Sequence, residues 1–184
     1  MKKSFKFFVF TMIMSLFILS GCASGKASGG DVLLKSDSSI KTGVLENGMK
    51  YYVKNNKGEK NRISLRLVVK VGSVQEEENE RGFAHFVEHM AFNGTENFTK
   101  SQIVDYFETI GMNFGNELNA YTSFEETVYK LEIPADNPEI LKTAMLILHD
   151  WASAQNFNEE EVEKEKGVIV EEWRLSELGL NGRI

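Results

Sequence analysis

The sequence predicts an α+β domain in which a mixed or antiparallel sheet carries helices packed on one face. Three observations lead there. Asn47-Gly48 sits between two short strand-forming runs, Arg62 to Val71 is dense in branched residues, and apolar residues recur at helical spacing in later segments. The predicted order is a strand hairpin, a strand, two helices, a strand and two helices, which stacks helices on a sheet. No internal repeat is visible.

At 184 residues the chain is long enough for one domain with a real core, and its 42% hydrophobic and 26% charged content is ordinary for a globular protein. A formal net charge of −6 with no basic stretch to offset it argues against a nucleic-acid partner.

The first 21 residues read as a processing signal. Lys2, Lys3 and Lys6 precede an apolar run from Phe7 to Leu19, too short to span a bilayer comfortably. The run ends in Leu19-Ser20-Gly21-Cys22, which resembles the bacterial lipobox, where a peptidase cuts before a cysteine whose thiol carries lipid. Cys22 is the only cysteine, so no internal disulfide is available. Cleavage there removes three lysines and no acid, taking the charge from −6 to −9. Ala23-Ser24-Gly25-Lys26-Ala27-Ser28-Gly29-Gly30 begins a flexible tether over residues 22–39. The expected location is the cell envelope, lipid-anchored. By resemblance to lipoprotein sorting, Ala23 in place of aspartate favours an outer membrane if the organism has one.

In the folded part, residues 40–184, Gly43-Val44-Leu45 and Lys50-Tyr51-Tyr52-Val53 flank the Asn-Gly turn as a hairpin. Ile63, Leu65, Leu67, Val68, Val69 and Val71 predict a largely buried strand, ended by Gly72 and the acidic run to Glu80. A helix is expected from about Arg81 to Phe92, closed by Asn93-Gly94. The next opens on a capping box, Thr99-Lys100-Ser101-Gln102, buries Ile103, Val104, Phe107 and Ile110, and stops at Gly111. Asn119 to Ile133 reads as one strand with polar interruptions, ending at Pro134. Asn137 caps a helix with Pro138 at its first position and Ile140, Leu141, Met145, Leu148 and Trp151 on its buried side. Asn158 and Glu159 to Glu161 start a last helix, which runs to about Leu178.

The chemistry concentrates in His85-Phe86-Val87-Glu88-His89. On a helix His89 lies about 40° around from His85 and one turn along, so both imidazoles can reach one ion; Glu88 lies about 60° to the other side. Two imidazoles suit zinc, and a carboxylate beside them can take a proton from a water the ion holds. A catalytic zinc usually has three protein ligands. His149, in the Ile140–Trp151 helix, reads as structural or exposed, which leaves carboxylates. Glu165 and Glu172, seven residues apart on the last helix, fall nearly on one face with Val168 and Ile169 between them, an apolar face that would draw both acids inward. Glu159 to Glu163 read as a solvated face.

Four segments together resemble the pitrilysin family of inverted-motif zinc peptidases, which includes insulin-degrading enzyme and mitochondrial processing peptidase. They are Gly82 to Thr95, Asn119-Ala120-Tyr121-Thr122-Ser123, Glu125-Glu126-Thr127-Val128-Tyr129, and Glu165-Lys166-Gly167-Val168-Ile169-Val170-Glu171-Glu172-Trp173. The resemblance covers about residues 40–184 and is closest to large bacterial secreted members. It implies a zinc endopeptidase with His85, His89 and Glu172 as metal ligands, Glu88 as general base, and Glu165 supporting a ligand histidine. Glu171 competes with Glu172, and the seven-residue spacing from Glu165 favours the latter. The resemblance further implies that Asn119, Ala120 and Tyr121 form an edge strand receiving an extended peptide substrate.

On the same resemblance the chain is expected to be a truncated N-terminal part of the peptidase domain. A C-terminal half or partner subunit would close the chamber and supply an arginine and a tyrosine. The alternative is a non-catalytic lipoprotein module that binds metal or peptide.

Overall fold

The structure, a computed structural model, describes residues 37–56, 58 and 61–181. The expected signal sequence, Cys22 and most of the expected tether lie outside the described residues, as do Arg183 and Ile184. The last three tether residues form a turn instead: Asp37 Oδ1 accepts from the Ser39 amide at 2.9 Å, leading straight into the first strand.

The first unit, ending at Asn55, holds β1 (Ile40–Val44) and β2 (Lys50–Lys54) as an antiparallel hairpin. Its loop closes between the Leu45 amide and the Met49 carbonyl at 2.8 Å, with Gly48 in the left-handed region at φ 87°. That is a three-residue connection whose last residue must accept positive φ, which is why glycine stands there. Gly43 pairs with Tyr51 across the strands, and a Cβ on Gly43 would fall 2.4 Å from the tyrosine ring. The ring therefore lies over the glycine, covering backbone that would otherwise be bare.

The second unit contains β3 (Arg62–Val69), β4 (Leu118–Thr122) and β5 (Thr127–Pro134), antiparallel in the order β3-β5-β4. The single strand expected over Asn119 to Ile133 is thus two strands. Ser123-Phe124-Glu125-Glu126 turns the chain, the Ser123 amide donating to the Glu126 carbonyl at 2.8 Å. With neither glycine nor proline in it, that turn carries none of the usual punctuation.

Ile63, Leu65, Leu67 and Val69 are half-buried against the core, while Val68 on the opposite face is half exposed. β3 is therefore buried on one face only, correcting the expectation of a largely buried strand. The outer face is polar: Arg66 and Ser64 both bond the Glu132 carboxylate.

Among the described residues four α-helices follow the sequence order: α1 (Phe83–Met90), α2 (Gln102–Thr109), α3 (Pro138–Ser153) and α4 (Glu159–Asn181). α1 is shorter than expected at both ends. Gly82 at φ 92° breaks the helix before Phe83, and the Glu76 carboxylate caps it by accepting from the Gly82 and Ala84 amides at 2.8 Å each. At its other end Trp151 Nε1 donates to the Ala91 carbonyl at 2.9 Å. Of the box expected at α2, one arm forms: Gln102 Oε1 accepts from the Thr99 amide at 2.6 Å. Asn137 and Asn158 cap α3 and α4, each side-chain oxygen accepting an amide two residues on at 3.0 Å.

The buried stripe of α3 is Ile140, Ala144, Ile147 and Trp151, flanked by Leu141 and Leu148. Met145, expected inside, is 52% exposed, because it lies about 100° beyond Ala144 around the helix. Asp150 is fully buried. It accepts from Thr95 Oγ1 at 2.7 Å and from the Asn97 amide and side chain, so α3 anchors the loop after α1. Burial raises its pKa, but the hydrogen bonds outweigh burial and hold the carboxyl below the usual range.

The link after β3 runs against the β4–β5 turn: the Ser73 and Val74 amides donate to the Ser123 and Phe124 carbonyls at 3.2 and 2.9 Å. A Cβ on Gly72 would sit 2.3 Å from the Ser123 oxygen. Backbone meets backbone there, so neither side can yield cheaply. Gly72→Ala is expected to destabilise the fold by about 1–3 kcal/mol, read as a lower urea midpoint with unchanged slope.

Candidate metal centre

α1 sets the geometry. Its helical spacing stacks the His85 and His89 rings edge to face with centroids 4.6 Å apart, and their Nε2 atoms approach to 3.1 Å. α4 crosses beside it, and Glu172 Oε2 lies 3.6 Å from each of those nitrogens. Four ligands at zinc bond lengths of about 2.0–2.1 Å in a tetrahedron stand about 3.3–3.4 Å apart. The three donor atoms are spaced close to that, so these residues fit one zinc ion.

Two nitrogen lone pairs facing each other repel unless a proton or a cation lies between them. The surroundings of His89 settle which nitrogen is free. Its Nδ1 lies 2.7 Å from Glu165 Oε1, and Glu165 Oε2 accepts from Asn93 Nδ2 at 2.7 Å. A carboxylate can only accept, so Nδ1 carries the hydrogen and Nε2 of the neutral ring presents its lone pair toward His85 and Glu172. Asn93, expected only to close α1, thereby fixes the carboxylate that orients the histidine.

The α4 acids differ in environment. The Glu165 side chain is 14% exposed and the Glu172 side chain 48%. The apolar face expected to draw both inward is incomplete, since Ile169 is half-buried but Val168 is exposed. Glu171 is exposed and paired with Arg174, one turn along its own helix, so it takes no part in the cluster. His149 lies apart as well, against Asp150 at 3.2 Å.

Glu88, on α1 between the histidines, is 8% exposed, and its Oε2 accepts from Thr122 Oγ1 at 2.6 Å. It lines a cleft of about 370 Å³ with His89, Glu165, Glu172, Asn93, Phe92, Phe114, Asn119 and Ala120. Phe92 and Phe114 meet edge to face at 5.5 Å.

β4 borders this cleft as one of the two outer strands of its three-stranded sheet among the described residues. The Glu132 amide bonds the Glu117 carbonyl and the Ser123 amide bonds the Glu126 carbonyl, which sets the phase of the ladder. Antiparallel pairs alternate, so Ala120 and Thr122 direct their amides and carbonyls away from β5. The Ala120 amide is held at 2.9 Å by Asn119 Oδ1, whose amide group also donates to the Gly115 carbonyl. Of the three edge residues predicted, Asn119 and Ala120 reach the cleft. The Tyr121 side chain takes the other face, under Lys130 Nζ at 4.3 Å and bonded to Glu126. Alternation puts the Tyr121 side chain on the face opposite those of Ala120 and Thr122.

Thr122, Asn93, Glu76 and Phe114 escaped the sequence reading. Thr122 stands inside the Asn119–Ser123 segment, yet its partner Glu88 is 34 residues away and only the fold joins them.

Residues 51–177 match the model of the family described as Insulinase (Peptidase family M16). The chain is 43% identical over 141 residues to the "Probable zinc protease PqqL" of Escherichia coli and 38% identical over 163 residues to that of Haemophilus influenzae. These alignments cover 77% and 89% of this chain but 15% and 18% of the relatives, so the chain spans less than a fifth of their length. The crystal structure of the first half of the periplasmic protease PqqL from Escherichia coli superposes with a TM-score of 0.74, covering 77% of this chain and 30% of that one.

Glu165→Gln keeps the shape of the side chain and removes its charge. It is expected to weaken zinc binding about 10- to 100-fold, measured by competition with a chromophoric chelator. An unchanged affinity would detach Glu165 from the site.

Proposed function

Because this chain belongs to the insulinase family of peptidases, family M16, we propose that it is the metal-binding part of a zinc-dependent endopeptidase of the cell envelope, acting on extended peptides or unfolded segments. The observation that carries this reading is the convergence of His85, His89 and Glu172 donor atoms beside a cleft that Glu88 also lines.

His85, His89 and Glu172 would hold the ion, and Glu165 keeps His89 in the tautomer that can bind it. Zinc held there supplies Lewis acidity toward water and the scissile carbonyl, bringing the water's pKa to about 7. Glu88 takes the proton of the attacking water and passes it to the leaving amine. β4 offers the Ala120 carbonyl and the Thr122 amide as an edge onto which a peptide backbone can add as a further strand. Such pairing makes little demand on peptide sequence. A C-terminal half or partner subunit is proposed to close the chamber around the bound peptide.

The Leu19-Ser20-Gly21-Cys22 box supports a lipid anchor on Cys22, tethering the domain to a membrane. The naming of the Escherichia coli relative as a periplasmic protease is consistent with an envelope location.

Chelation is expected to abolish cleavage of a quenched-fluorescent peptide, and added zinc to restore it. Glu88→Gln should retain zinc while cleavage falls by about 10²- to 10⁴-fold. Zinc binding with no cleavage in the unaltered protein would instead support the non-catalytic module. Cys22→Ala is expected to abolish incorporation of labelled palmitate and shift the protein from the membrane pellet to the soluble fraction.

A further inference from the structure

We propose that Thr122 is a positioning residue for the general base: its hydroxyl fixes the orientation of the Glu88 carboxylate toward the metal cleft. The inference rests on the reading of Glu88 as base and adds a residue to it.

Glu88 is nearly buried, and among the described residues its carboxylate receives one hydrogen bond, from Thr122 Oγ1 at 2.6 Å. A glutamate on a helix has three torsions to place its carboxylate, so a single donor on a neighbouring element decides where the oxygens point. Thr122 Oγ1 also lies 3.2 Å from Thr127 Oγ1, and Thr127 donates its hydrogen to the Val71 carbonyl at 3.0 Å. With that hydrogen committed, Thr127 can only accept, and Thr122 has one hydrogen to give. The shorter contact, to a charged acceptor, takes it.

The support is rigid. Thr122 and Thr127 are the closing pair of the β4–β5 hairpin, and the adjacent turn is clamped to Ser73 and Val74. Thr122 makes no hydrogen bond to His85, His89 or Glu172 among the described residues, so its effect should fall on the base and spare the metal.

The test compares Thr122→Val and Thr122→Ser with the unaltered full chain, using the same quenched peptide, zinc competition and crystal structures of the zinc-loaded proteins. Thr122→Val should lower kcat about 10- to 100-fold with KM and zinc affinity unchanged, and the Glu88 carboxylate should leave its place. Thr122→Ser, which restores the hydroxyl, should stay within about threefold of the parent kcat, since the donor bond is back. Thr122→Ala replaces the valine variant if that one does not fold. An unchanged kcat or a stationary Glu88 in the variant lacking the hydroxyl overturns the proposal, as does a serine variant no better than valine. If the unaltered protein binds zinc but cleaves nothing, the endopeptidase reading fails, and the position of Glu88 in the crystals alone decides the role of Thr122.

Discussion

The Glu165 carboxylate joins two helices that lie far apart in sequence. Its two oxygens receive His89 and Asn93, more than seventy residues upstream, and so fasten α4 against the end of α1. Burying an acid is costly unless its lone pairs are matched, and here both oxygens are. The same bonds that make the acid tolerable fix the tautomer of His89. They also set the distance from α1 at which Glu172, two turns further along α4, meets both histidines. Packing and chemistry are one interaction at this point, so a fault in either is felt in both.

α1 itself is short and is braced from outside. Glu76 caps its first turn and Trp151 donates to the Ala91 carbonyl at its end, while Asp150 secures the following loop from within the core. Eight residues are too few to hold a helix by their own propensity. The braces come from elements before and after it in the chain, which is how two histidines and a glutamate on a marginal helix acquire fixed directions.

Much of this was legible in sequence because it is local. The histidine pair is a matter of helical period, the caps at Asn137 and Asn158 of side-chain chemistry, and the hairpin at Asn47-Gly48 of a glycine that tolerates positive φ. The misreadings share another cause. The β4–β5 turn lacks glycine and proline, so the strand looked continuous; Met145 and Val68 are apolar yet face away from the core, which only the register of neighbouring elements decides. Thr122 and Asn93 gain meaning from partners on other elements, and no window of sequence contains those pairs.

One detail of the β4 edge bears on how readily another strand could pair with it. Asn119 folds its own side chain onto the outward amide of Ala120, so that position is never bare. An arriving backbone carbonyl must exchange for a bond already present, and an exchange of like for like yields little net free energy. The strand is thereby shielded from pairing with stray chains when idle. Any strand that paired there would, on leaving, find the asparagine ready to take its place again.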